Sequence, residues 1–303
     1  METKKGCSCS SDFDAQMAYR KLSDKYTNLA ELVLEYISDD AQRKGFLPSD
    51  STLNISEFLI RIIGGSRVPE GGYRECALIG RQNLNGTLEW FCSGVLVHPR
   101  VVLTAAHCYS PSNSYIVALS TISQNALSSA EIIQVKKIVP HIGYQQTGKY
   151  NDIAVLILKE NANTPFIPIA TSDEINNASL STLVGFGNDD LNSTRGFGIK
   201  REVNVSIESI KRHPNDDMDD AENLFDFESD LEFVAGGKGL DSCEGDSGGP
   251  AYISVNGELK VAGLTSRAAA GYSTKCGDGG IYTRIDSNMS FINSVLKSQN
   301  INW

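Results

Sequence analysis

Three polar residues, far apart along the chain, have the types and surroundings that hydrolytic chemistry requires. Ser247 lies in Asp241-Ser242-Cys243-Glu244-Gly245-Asp246-Ser247-Gly248-Gly249-Pro250, between an acid and two glycines. Such a setting lets the backbone bend tightly around a nucleophilic hydroxyl and turn N–H groups toward an anion. Upstream, Thr104-Ala105-Ala106-His107-Cys108 offers a base, and Asn151-Asp152-Ile153-Ala154-Val155-Leu156 offers a carboxylate entering an apolar run. A hydroxyl, an imidazole and a carboxylate that converge can carry out nucleophilic acyl transfer. Taken singly, each has a plain structural role: His107 as a satisfied core histidine, Asp152 as a strand-end cap, Ser247 as a turn residue.

In this order and with these flanks, the motifs resemble those of the chymotrypsin/trypsin family of serine endopeptidases, from residue 62 to the C-terminus. The resemblance implies an all-β fold of two packed six-stranded antiparallel β-barrels with a C-terminal helix. It implies that Ser247 is the nucleophile, His107 the general base and Asp152 the carboxylate that orients it, with the N–H groups of Gly245 and Ser247 as the oxyanion hole. It also pairs Cys92 with Cys108 and Cys243 with Cys276, and the total of seven cysteines leaves at least one without a partner in the chain.

Specificity is read from the same resemblance. Asp241 stands where trypsin-like members keep an aspartate at the pocket floor, so cleavage after Arg or Lys is expected. Gly280 matches the open pocket wall. The opposite wall departs, with Ser266-Arg267-Ala268 where relatives carry Ser-Trp-Gly. Ser266 keeps a hydroxyl for Asp152, Ala268 narrows the entrance, and Arg267 puts a charge where an aromatic substrate platform would be. Arg61-Ile62-Ile63-Gly64-Gly65 resembles an activation site, in which a cut after Arg61 frees the Ile62 amine to pair with Asp246. Its plain alternative is a first strand and turn. The implied partners are protein substrates and an upstream activating protease.

The elements that must hold these residues are short. Apolar segments at 75–79, 94–97, 101–104, 131–139 and 153–158, broken by Asn85-Gly86 and His98-Pro99, predict antiparallel barrels. By resemblance, the second barrel starts near Leu183-Val184-Gly185-Phe186-Gly187, and 287–297 is the closing helix. Ahead of all this, Phe13, Met17, Leu22, Tyr26, Leu29, Val33 and Ile37 recur near a helical period, predicting an amphipathic helix capped by Ser11 or Asp12. A short helical piece ends at Gly45, and 52–60 is a second apolar segment. Residues 1–61 are too small for a core of their own and read as a helical propeptide or an adaptor for a regulatory protein, with the protease at 62–303.

The totals exclude several classes. A net charge of -10 argues against a nucleic-acid surface. No apolar run is long enough for a membrane span, and the first nine residues lack the apolar core of a secretory leader. The cytoplasm is therefore favoured, with secretion as the alternative. Asp216, Asp217, Asp219, Asp220, Glu222, Asp226, Glu228, Asp230 and Glu232 read as a solvated acidic loop, with calcium binding as its alternative and no other cofactor expected. His98, His141 and His213 are assigned structural roles. The competing function is a catalytically silent homologue that binds proteins through its barrels.

Overall fold

The protein is described by a computed structural model covering residues 65–303 except 84, 112–113, 191–192, 238 and 271–275, and except the side chains of Gln146 and Thr147. The helices predicted in residues 1–60, Arg61 and Ile62 lie outside the described residues. By its contacts the chain divides into Met1–Leu59 and Ile60–Trp303, and both barrels belong to the second unit.

After the two-residue strand β1 (Ser66–Arg67), six strands form the first barrel: β2 (Cys76–Gln82), β3 (Leu88–His98), β4 (Val101–Thr104), β5 (Tyr115–Leu119), β6 (Glu131–Pro140) and β7 (Ala154–Leu158). They close in the order β2-β3-β4-β7-β6-β5, every pair antiparallel. The short helix α1 (Ile142–Thr147) enters between β6 and β7, and His141 caps it by accepting the Gly143 N–H. After α2 (Ser172–Asn177), whose Thr171 and Glu174 make a reciprocal capping box, the chain builds the second barrel.

Its strands are β8 (Leu180–Gly185), β9 (Arg201–Ser209), β10 (Glu232–Ala235), β11 (Pro250–Val255), β12 (Glu258–Ala268) and β13 (Gly280–Arg284). Pairing of β8 with β9 closes the ring, and β1 lies along β9 as an added strand. In β9, Val203, Val205 and Ile207 point into the core while Asn204, Ser206 and Glu208 are exposed, the alternation that a half-buried strand demands. Asn256 and Gly257, both at positive φ, make the two-residue turn joining β11 to β12. Helix α3 (Asp219–Phe225) lies between β9 and β10, and α4 (Met289–Ser298) ends the fold by burying Ile292, Val295 and Leu296.

The barrels are joined at Ser93, a wholly buried residue of β3. Its N–H donates to Ser247 O (2.9 Å), and its hydroxyl donates to Gly245 O (2.9 Å) and accepts from Phe186 N (3.2 Å). One residue of the first barrel thus satisfies three backbone groups of the second. Tyr252 adds to the seam by stacking on Tyr73 and donating to Glu75 Oε1 (2.8 Å). Ser93→Ala strands the Gly245 carbonyl and the Phe186 N–H in a buried seam. It is expected to lower unfolding free energy by about 2 kcal/mol, measured by urea denaturation.

Candidate active site

His107 lies in a 3-10 turn (Ala106–Cys108) directly after β4, and the Cys92–Cys108 disulfide ties that turn to β3. Asp152 precedes β7, following Asn151 at positive φ. Its buried carboxylate accepts from the His107 backbone N–H at Oδ1 (2.9 Å) and faces His107 Nδ1 at Oδ2 (2.7 Å). Ser266 Oγ donates to the same Oδ2 (2.8 Å), as its residue type suggested. An ionised carboxylate can only accept, so Nδ1 carries the proton and Nε2 is left as the basic nitrogen.

The loop bearing Ser247 is pressed against the segment that leads into His107. A Cβ on Gly248, where φ is +75°, would lie 2.1 Å from Thr104 Oγ1 and 2.5 Å from Ala105 N. One on Gly245, at φ +98°, would lie 2.5 Å from the Phe197 ring. Only glycine fits either place. Cys108 Sγ sits 3.7 Å from Ser247 O, so the bridge beside His107 also touches the serine loop. Among the described residues, the N–H groups of Gly245 and Ser247 donate to no oxygen, and no hydrogen bond joins His107 to Ser247.

Asp246 points away from this surface. Its carboxylate accepts from Gly187 N (2.7 Å) and Cys243 N (2.9 Å), and Gly185 and Gly187 leave room that any side chain would fill. Burial pushes its carboxyl up to about 6, against the pull of those N–H groups and the charge of Arg201. Asp241 is also buried. It accepts from Ser242 N (2.7 Å), Gly277 N (3.1 Å) and Gly279 N (3.1 Å), and burial pushes it up to about 7. A Cβ on Gly280 would come within 3.2 Å of Asp241 Oδ1, so the glycine keeps the carboxylate uncovered on that side. The Cys243–Cys276 disulfide braces the same loop, and Ala268 is exposed at the end of β12. Cys76, buried in β2, is a free thiol.

Two expectations are corrected together. Arg267 does not present its charge as a platform: its guanidinium forks onto Glu232, with Nη1 2.6 Å from Oε1 and Nη2 2.8 Å from Oε2. It also donates to Lys149 O (3.3 Å) and Asp226 O (3.1 Å) and lies over the Tyr150 ring. The acidic stretch is accordingly no plain solvated loop. It holds α3 and the start of β10, with Glu232 fully buried, Asp226 paired with Lys149, and Asp230 paired with Lys211. The signal was present in Leu231-Glu232-Phe233-Val234-Ala235, where one acid in an apolar strand implies a buried cation. These side chains frame a cleft of about 210 Å³ beside Asp152, lined by His107, Tyr144, Lys149 and Arg267.

Two barrels, with the serine loop of one packed on the histidine segment of the other, define the chymotrypsin-like class. Residues 62–292 match the family described as Trypsin, and the chain belongs to that family of serine proteases. Vitamin K-dependent protein C of Rattus norvegicus is 28% identical over 282 residues, covering 86% of this chain and 58% of the rat protein. The chain thus spans little more than half of that relative. Glucanase inhibitor protein 3 of Phytophthora infestans is 28% identical, covering 83% of this chain and 93% of its own length. A solved structure described as "Structure of GrC" superposes with a TM-score of 0.62 at 25% identity, covering 78% of this chain and all of that one.

Arg267→Met would leave the buried Glu232 carboxyl without its cation. The expected loss is about 3 kcal/mol of stability, the lower end for such a pair because the guanidinium is partly exposed. Adding Glu232→Leu should recover most of it, as read from urea unfolding of the single and double variants.

Proposed function

We propose that the protein is a serine endopeptidase that cleaves protein substrates after Arg or Lys and is made as a zymogen activated by a cut after Arg61. The observation that carries this is the Asp152–His107 pair, held by two hydrogen bonds to the imidazole-bearing residue and a third from Ser266. In the reaction, Ser247 Oγ attacks the substrate carbonyl as His107 Nε2 takes its proton. The tetrahedral oxyanion is held by the N–H groups of Gly245 and Ser247. His107 then returns the proton to the leaving amine, and water repeats the sequence on the acyl-enzyme. This family is itself the standard example of such chemistry, and the roles are carried over from it as part of the proposal. Asp241 receives the substrate's cationic side chain, and Asp246 receives the freed Ile62 amine, which orders the loop around Gly245.

Residues 1–60 would then inhibit the uncut chain or recruit it to a regulatory complex, and a signalling or defence cascade would suit a protease that an upstream protease switches on. A second reading is a silent homologue that binds proteins. The absent His107–Ser247 hydrogen bond favours it, as does a relative named for inhibition, and catalytic hydrogen bonds often tighten only with substrate.

Labelling with a serine-directed fluorophosphonate separates the two. The chain cut after Arg61 is expected to label, the Ser247→Ala variant to remain unlabelled, and intact Arg61→Gln to label roughly a hundred-fold more slowly, for want of an ordered oxyanion hole. Equal labelling of cut chain and Arg61→Gln would overturn the zymogen; no labelling in any form would leave the silent homologue.

Asp241 supplies an independent check. Its carboxyl is pushed up to about 7, so in the empty pocket it is neutral below that pH and anionic above it. Binding of benzamidine, a cationic stand-in for arginine, should weaken about ten-fold per pH unit below 7. Asp241→Asn should bind weakly with no such slope, as measured by calorimetry.

A further inference from the structure

Away from the His107 cleft, the first barrel carries a groove of about 340 Å³ whose described walls hold three lysines and no carboxylate. Lys136 and Lys137 stand on β6, and Lys159 follows β7. Ile116, Val135 and Ile138 supply its apolar part. Adjacent residues of a strand normally face opposite sides, so two neighbouring lysines on one wall need a cause. The cause is a β-bulge. β6 pairs Val135 with Leu158 but Lys137 with Ile157, leaving Lys136 as the extra residue. Val135 and Ile138 both pack toward the barrel core, while Lys136 and Lys137 are both exposed. A regular strand would have carried Lys137 inward with Val135.

Among the described residues, no ion pair joins these lysines to a carboxylate; Lys159 donates to the side-chain oxygen of Gln134. A chain of net charge -10 therefore gathers three uncompensated cations around one groove. We propose that this groove binds an acidic segment of a partner protein, with its carboxylates on Lys136, Lys137 and Lys159 and an apolar side chain against the half-buried Ile138. A nucleic acid or sulfated polysaccharide fits less well. Such polymers need a longer positive track, and their uniform charge would leave the apolar wall unmatched and meet the acidic surface beyond. The inference does not rest on the catalytic reading, since the groove and the His107 cleft share no residue.

The test is fluorescence anisotropy of full-length Ser247→Ala protein, which cannot cut the probe, with a labelled peptide of alternating Glu and Leu. Binding should be tighter than for the Gln-and-Leu peptide and should fall with added salt. The triple variant Lys136→Ala, Lys137→Ala, Lys159→Ala should weaken it about ten-fold, the sum of three exposed ion pairs. An unchanged unfolding midpoint for the triple variant would show that the barrel is intact. Undetectable binding, equal binding by the triple variant, or a heparin oligosaccharide that binds more tightly through the same lysines would each overturn the proposal.

Discussion

The serine loop is held against the first barrel by a backbone registration across the barrel seam, made by Ser93. A barrel is rigid within itself because its strands share hydrogen bonds around a closed ring, but two barrels packed on apolar surface alone could slide by an ångström without losing much area. Ser93 removes that freedom. It engages the carbonyls of Gly245 and Ser247 and the N–H of Phe186, so the serine loop is held at a hydrogen-bond length from β3. On the other side its carbonyl accepts from Thr104 Oγ1 (2.8 Å), in the strand that leads to His107. The neighbouring Cys92 is covalently tied to Cys108. The segments carrying the imidazole and the hydroxyl are therefore referred to the same two residues of β3.

Four buried carboxylates around the site show how charge is managed once that frame is set. Asp152 has an imidazole and a hydroxyl, and Glu232 has a guanidinium fork. Asp241 and Asp246 have mainly backbone N–H groups, and both are pushed above the ordinary carboxylate range, to about 7 and about 6. Backbone dipoles offset part of the desolvation of an anion but not all of it. These two are the positions to which the proposed function brings a cation from elsewhere, a substrate side chain for Asp241 and a new amine for Asp246.

Most of the fold was legible because its signals are local. Turns at Asn85-Gly86 and His98-Pro99, alternating apolar residues, and the flanks of His107, Asp152 and Ser247 all lie within a few residues of what they specify. Ser93 was not legible: a serine between cysteine and glycine says nothing of the second barrel's backbone lying opposite. The acidic stretch was misread because its charges were counted rather than placed. Asp216 and Asp217 precede α3, which starts only at Asp219, while Glu232 belongs to the following strand and meets Arg267 from a distant one. The shared face of Lys136 and Lys137 was not legible, since nothing in Ile133-Gln134-Val135-Lys136-Lys137-Ile138 fixes which residue the partner strand will skip.

The Arg267–Glu232 fork changes what the cleft beside His107 can offer. At this wall the chain has a cation already paired with a buried anion and laid over Tyr150. Under the proposed function, a side chain entering beside His107 meets a guanidinium already forked onto Glu232, together with the partly exposed Lys149–Asp226 pair. Neither a bulky apolar group nor an isolated charge gains much there. If both proposals hold, discrimination comes from elsewhere, from Asp241 at one extreme and from the lysine-lined groove at the other. A partner that satisfied both would carry a basic residue at the cleaved bond and an acidic segment apart from it. That pattern is bipolar, and neither end of it would be selected strongly by the cleft alone.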